Sequence, residues 1–212
     1  NGDLVFIVSA VKWKQREVGD DITNPIPSFV YSPETPGVTV NNMLLFRNRL
    51  VFLSGNNVIL SQAGELNNFF GDTALVVKAS DPIDINASVD TSTALYAGLV
   101  VNNGMILFSK FNQFLFTTDS DILSPDTAKS SLLSTYDFNP NSNPFNLAGN
   151  VGFFSTSDND SIFWWMKDVY REGPPIVNEV SKAVSASLPP DLDLLCASRE
   201  DALVLASSKG LK

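Results

Sequence analysis

One pattern recurs along this chain and restricts its fold more than any other feature. A run of apolar residues ends in serine, a few polar residues turn the chain, and a second apolar run returns. The first copy is Leu50-Val51-Phe52-Leu53-Ser54, then Gly55-Asn56-Asn57, then Val58-Ile59-Leu60-Ser61. The second joins Met105-Ile106-Leu107-Phe108-Ser109 to Phe114-Leu115-Phe116-Thr117 through Lys110-Phe111-Asn112-Gln113. The third joins Val151-Gly152-Phe153-Phe154-Ser155 to Ile162-Phe163-Trp164-Trp165 across a polar turn. The fourth joins Leu194-Leu195-Cys196-Ala197-Ser198 to Ala202-Leu203-Val204-Leu205 through Arg199-Glu200-Asp201. Short β-rich runs bounded by Asn, Gly, Asp and Ser read as strands and turns, and each pair reads as a hairpin.

Ser54, Ser109, Ser155 and Ser198 lie 55, 46 and 43 residues apart, close to the period of about 40 to 50 residues expected for four-stranded propeller blades. Upstream of the second hairpin, Leu99-Val100-Val101 and Met105-Ile106-Leu107 flank Asn102-Asn103-Gly104, an Asn-Gly hairpin signal that extends the copy to a meander from about Ala94 to Thr118. A β-sandwich also alternates strands and turns, but it has no reason to repeat a unit with one closing residue type. The sequence therefore predicts a mainly β protein of propeller-like antiparallel blades, with hairpins near 50–61, 94–118, 151–165 and 194–205. Residues 43–212 form the bladed part. Residues 1–42 form an N-terminal β segment in which Val5-Phe6-Ile7-Val8-Ser9 is a degraded fifth copy. One stretch departs from the pattern: after Pro174-Pro175, the spacing of Ile176, Val177, Val180, Val184 and Leu188 predicts a short helix over about 175–186, ended by Pro189-Pro190.

Composition limits the function. A hydrophobic content of 44% with only 17% charged residues describes a folded chain. A net charge of −9 without a Lys/Arg cluster lacks the footprint of a phosphate-backbone binder. No stretch is apolar for the roughly 18 residues a membrane helix needs, and no basic-then-apolar leader opens the sequence. Beginning at Asn1, the chain is expected to be a processed piece of a longer polypeptide. Its single cysteine, Cys196, precludes an intrachain disulfide, suits assembly in a reducing cytoplasm, and is expected to be a small buried hydrophobe.

Chemistry is hard to place on these residues. Without histidine there is no Ser-His-Asp or Cys-His catalysis and no imidazole metal site. One cysteine cannot build a zinc site, and no phosphate-binding Gly-rich loop occurs. Asp158-Asn159-Asp160 starts like a calcium loop, but Phe163 stands where the loop needs Gly and no Glu closes it; Asp119-Ser120-Asp121 fails likewise. Asp81 and Asp84 flank Pro82-Ile83, where hydrogen bonds to nearby backbone account for both acids. The sequence therefore assigns no catalytic, cofactor-binding or metal-binding residue, and it describes a protein that is not an enzyme. The candidates for an interface are Trp164, Trp165, Arg47 and Arg49. Strand alternation sends one tryptophan inward and the other outward. The arginines, just before a strand, are placed either to pair with acids on an adjacent blade or to lie on the surface.

The segment Phe46 to Ser61, followed by Phe69-Phe70 and Asp81-Pro82-Ile83-Asp84, resembles the tail nozzle proteins, or tail tubular proteins B, of short-tailed bacteriophages. The resemblance runs through Met105–Phe116 and through Asn178-Glu179-Val180-Ser181 to Leu188-Pro189, spanning Met43 to Ser207; the first forty residues carry none of it. It implies a virion structural protein, assembled in the host cytoplasm, that forms a six-fold homo-oligomeric ring below the portal and adaptor. Such a ring meets the tail fibres and lets phage DNA pass without specific binding. Acidity suits that role, because like charge between wall and DNA avoids stalling. Two other functions fit the same architecture: a carbohydrate-binding or carbohydrate-cleaving propeller, and a generic protein-interaction propeller.

Overall fold

The computed structural model describes residues 5, 7–30, 39–87, 94–102, 104–147, 149–167, 169, 174–183, 188–190, 192–198, 200 and 203–208. They form three four-stranded antiparallel meanders and a two-stranded hairpin, arranged in chain order. Sheet 1 holds β1 (Val40–Phe46), β2 (Arg49–Ser54), β3 (Asn57–Leu60) and β4 (Ile83–Asn86). Sheet 2 holds β5 (Leu95–Val101), β6 (Gly104–Ser109), β7 (Gln113–Thr118) and β8 (Ala128–Ser134). Sheet 3 holds β9 (Phe145–Leu147), β10 (Asn150–Thr156), β11 (Ser161–Lys167) and β12 (Ile176–Glu179), and sheet 4 holds β13 (Leu192–Ser198) and β14 (Leu203–Ser208). In each four-stranded sheet, neighbours in sequence are neighbours in space; short turns enforce this for the hairpins such as β1–β2, β2–β3, β5–β6 and β6–β7, whereas β3 and β4 pair across the long connection 61–82. Between β1 and β2 the turn is Arg47-Asn48, with φ of 46° and 60°, the left-handed pair a tight hairpin needs.

The sheets stack one upon the next, and an apolar cluster fills each gap. Between sheets 1 and 2 lie Val51, Leu53, Val58, Leu60 and Ile83 against Leu95, Met105, Leu107, Phe114 and Phe116. Gly98 of β5 lies beneath Leu44 of β1, where a methyl group would stand only 2.9 Å from Leu44 Cδ2. Between sheets 2 and 3, Ile106 and Phe108 meet Val151, Phe153 and Met166. Between sheets 3 and 4, Phe145, Leu147 and Phe154 meet Leu192, Leu195 and Val204. Alternation along each inner strand therefore feeds two cores at once: Leu107 faces sheet 1 while Ile106 and Phe108 face sheet 3. This explains why these strands read as continuous apolar runs and not as alternating ones.

Each link between sheets is pinned to the central hairpin of the sheet it leaves. Ala87 N–H and Leu95 N–H donate to the carbonyls of Asn56 and Gly55 at the β2–β3 turn, at 2.9 and 2.7 Å. Phe138 N–H donates to Lys110 O at the β6–β7 turn, 2.8 Å, and buried Gln113 bonds the Tyr136 backbone through both ends of its amide. Ser161, opening β11, donates from its N–H to Leu188 O and from its hydroxyl to Pro189 O. The long Asn/Pro-rich connection is accordingly anchored, with Asn139 Nδ2 bonded to Leu192 O at 2.9 Å.

Two expectations are corrected here. The helix over about 175–186 is absent where the chain is described: Ile176–Glu179 form the edge strand β12, paired with Trp164 to Lys167, and only Ser181–Ala183 make one 3₁₀ turn. Helical spacing of five apolar residues competed with an available strand edge, and ladder bonds to β11 won. Val184 to Ala186 lie outside the described residues. The N-terminal β segment over 1–42 is not one either. No strand occurs among described residues before Val40, and β1 crosses the 42/43 boundary; Phe6 lies outside the described residues. Residues 7–30 instead form a strap across the outer face of sheet 1. There Trp13 and Phe29 pack with Phe52 and Phe69 at centroid distances of 4.9 to 6.4 Å. The described sheets do not close into a ring or barrel, and their arrangement as separate antiparallel meanders is the part of the expected blade architecture that is seen.

Candidate assembly surfaces

Arg49 opens β2 and is 2% exposed. Its Nη1 donates to Ser61 O (2.8 Å) and Asp81 O (2.7 Å); its Nη2 donates to Ala79 O (2.8 Å) and Leu123 O (3.4 Å). Leu123 lies in the β7–β8 connection, so one guanidinium ties the loop after β3 to the neighbouring sheet. Its hydrogen-bond partners are carbonyls, so it neither pairs with acids of an adjacent blade nor lies on the surface, the two placements the sequence left open, because a planar fork with five donors fits converging backbone oxygens. Burial pulls its pKa below the usual arginine value, and the nearby Asp81 carboxylate opposes that shift. Arg47, by contrast, is exposed in the β1–β2 turn, with its guanidinium over the Phe46 ring at 5.5 Å and Nη1 at 3.5 Å from Asp121 O. It borders an open polar cleft with Asn102 and the acidic turn Thr118–Asp121.

Trp164 and Trp165 are both half-buried, on opposite faces of β11. Trp164 belongs to the cluster shared with sheet 2, packs at a tilt against Tyr136 (4.8 Å between ring centroids) and donates from Nε1 to Ser155 Oγ at 2.8 Å. Trp165 belongs to the cluster shared with sheet 4, beside Phe145 and Phe163. The expected inward–outward split does not occur, because sheet 3 has a neighbour on each face.

The outermost faces differ from those inside. On sheet 1, Met43 and Leu45 project beside the strap and are exposed; on sheet 4, Leu203 and Leu205 are exposed. Cys196 is exposed on that same outer face, opposite Leu205. The expectation of a buried thiol fails because nothing in the described chain packs over β13 and β14 from that side. A strand-by-strand reading had no means of telling an inner sheet from a terminal one.

A concavity of about 280 Å³ lies between the strap, the loop 71–77 and the start of β4. It is walled by Ile26, Pro27, Ile59, Phe69, Leu75 and Val77, with Asp81 and Asp84 among its polar groups. Among the described residues no three His, Cys, Asp or Glu side chains gather as a metal site, and no helix is long and apolar enough to cross a membrane.

Stacked antiparallel meanders, held by shared apolar clusters and by side chains bonded to backbone carbonyls, define a mainly β protein. Residues 1–212 match the family model for the bacteriophage nozzle protein, and the chain belongs to that family of virion tail proteins. The match takes in the first forty residues, which carried no resemblance of their own. Among curated proteins, the chain is similar to the tail tubular protein gp12 of Escherichia phage T7, with 32% identity over 145 residues. That alignment covers 68% of this chain and 17% of the relative, so the chain spans about a sixth of the relative's length.

Proposed function

We propose that this chain is an arc of propeller-like blades in the wall of a phage tail nozzle, a non-enzymatic element of the conduit through which the genome leaves. The observation that carries the reading is the regular stacking of four-stranded meanders in chain order, each link pinned to the preceding central hairpin. Blades in a propeller are related in this way, with radial repetition protecting the sheet edges. The exposed apolar residues on the two end faces support a longer stack in the parent, since inner sheets have both faces covered. So does the small share of the T7 relative that the chain covers.

In this reading the parent protein assembles as a six-fold ring that contacts the tail adaptor and the tail fibres. The acidic balance of −9 keeps the wall from holding the DNA that passes. Native mass spectrometry and electron cryo-microscopy of the parent protein, with and without its adaptor, test this. A closed ring with these sheets in its wall is expected. A parent that stays monomeric with adaptor present, or a strongly basic lumen in the assembled ring, would sink the proposal.

A further inference from the structure

Sheet 1 has no described sheet before it, yet most of its outer face is buried like an inner one. Counted back from Ser54, Ser109 and Ser155, the residues two before are Phe52, Leu107 and Phe153. Leu107 packs against sheet 1 and Phe153 against sheet 2, each on the face turned to the preceding sheet. Their partners across the central hairpins are Ile59, Phe114 and Trp164. Phe52 and Ile59 are 7% and 1% exposed, although no sheet lies over them. The strap supplies the cover: the Phe29 ring meets Phe52 and Phe69 edge-on at 4.9 Å, and Trp13 lies 5.9 Å from both. Where the strap does not reach, the same kind of residue is wet. Met43, the ladder neighbour of Phe52 on β1, is 63% exposed, and Leu205 on the outer face of sheet 4 is 60% exposed.

The strap is held without strand pairing. Lys14 N–H donates to Asn67 O, Asn67 Nδ2 donates to Lys12 O, and Asn24 bonds the Gly71 backbone through both ends of its amide. Ser28 N–H donates to Asp84 Oδ2 on β4. A segment docked through a few rings and loop bonds opens at a lower free energy than the ladders it covers. Its opening would bare Leu50, Phe52, Ile59 and Phe69 beside Met43 and Leu45, a contiguous apolar sheet face of the kind that mates with another. We propose that residues 12–29 are a self-cap: they fill the place of a neighbouring sheet over β2–β4, leave only the β1 margin open, and keep one chain from stacking on another through sheet 1. This role follows from the stacking of the sheets and does not rest on the nozzle reading.

The test is the full chain carrying Trp13→Ser and Phe29→Ser, compared with the unaltered chain by amide hydrogen exchange and by sedimentation velocity over a concentration series. Amides of residues 12–29 should exchange faster while those of β6, β7 and β10 keep their protection, and self-association should tighten about tenfold. Adding Met43→Glu, at a position exposed with the strap in place, sets a charge on the bared face and should abolish that gain. A freed strap with no gain in association would overturn the proposal, as would a gain that survives Met43→Glu. Unchanged exchange at residues 12–29 would show that these rings do not hold a cap, and would overturn it too. Should the double variant fail to fold, Trp13→Ser alone, at a half-exposed ring, carries the same two readouts. Loss of sheet protection in that single variant would make the strap part of the core, which also overturns the proposal.

Discussion

Asn41 of β1 donates from Nδ2 to the carbonyl of Leu95, the first residue of β5, at 2.8 Å, and Asn42 reaches Tyr96 O at 3.2 Å. Both strands are irregular at this point. Val40 pairs with Ser54 but Asn42 with Leu53, and Leu95 pairs with Ser109 but Ala97 with Phe108. One residue is therefore extra on the first strands of sheets 1 and 2, a β-bulge that turns backbone groups out of the ladder. Asn41 and Asn42 take up those carbonyls across the gap between sheets. Replacing Asn41 by Ala should cost about 0.5 to 1.5 kcal/mol, the worth of one hydrogen bond. Asn41→Asp should cost more, since its carboxylate would set a negatively charged acceptor against the Leu95 carbonyl oxygen. Urea denaturation of both variants measures the difference.

Arg49 bonds the loop after β3 and the β7–β8 connection through one buried group. Arg49→Ala leaves several carbonyls and the Asp81 carboxylate without their cation, and should destabilise the chain by about 3 to 5 kcal/mol. Arg49→Lys retains the charge without the fork and should lose about 1 to 3 kcal/mol. Urea midpoints that order the three proteins otherwise would contradict this account.

Gly104 opens β6 against β7. A methyl group there would stand 2.0 Å from Phe116 O, and a backbone atom in a ladder cannot step aside alone. Gly104→Ala should cost about 1 to 3 kcal/mol as overpacking. It should appear as a lowered thermal midpoint with the amide signals of Met105 and Phe116 displaced.

Cys196 is exposed in the native chain. It should react stoichiometrically with a thiol reagent such as dithionitrobenzoate without denaturant, at a rate near that of the unfolded protein. If its modification instead required unfolding, the outer face of sheet 4 would be covered.

Asp20 accepts from Thr23 N–H, the Thr23 hydroxyl and Ile22 N–H, with the Thr23 backbone bond the largest influence, and these hold its pKa below the usual 3.8. A depressed folded pKa means that the unfolded state binds the proton first as pH falls. The turn's contribution is thus complete above 3.8 and is lost as pH drops through the lower folded value. Carboxyl ¹³C titration should place the Asp20 midpoint below 3.8, and Asp20→Ala should flatten acid sensitivity in that window.

The bulges also show where reading by strands misaligned the repeat. Serine endings placed Ser198 beside Ser54, Ser109 and Ser155. In sheet 4, however, Leu192 pairs with Ser208 and Leu194 with Ser207, the same slip as at Val40/Asn42 and Leu95/Ala97. Strand β13 therefore corresponds to the first strands β1 and β5, and Ser208 takes the place of the closing serine. Both strands of that hairpin end in serine, so composition could not tell them apart; pairing could. The turn Arg199-Glu200-Asp201 lies largely outside the described residues, Glu200 excepted.

Local pattern by itself determined the strands of the hairpins near 50–61, 94–118, 151–165 and 194–205, because apolar runs of β-branched and aromatic residues between turn formers can hide their side chains in few other ways; β1, β4, β8, β9 and β12, shorter or more polar, were not read from it. It also determined the hairpin pairings, because the turns are too short for any other neighbour. Tertiary structure decided what depends on having a partner at a distance. Ile176–Glu179 became a strand because β11 offered an edge, Arg49 went inside because carbonyls from two sheets converge on it, and both tryptophans were covered because sheet 3 lies between two others. Burial belongs to a position in the stack, and a sequence window a few residues wide contains no information about which sheet comes to rest against it.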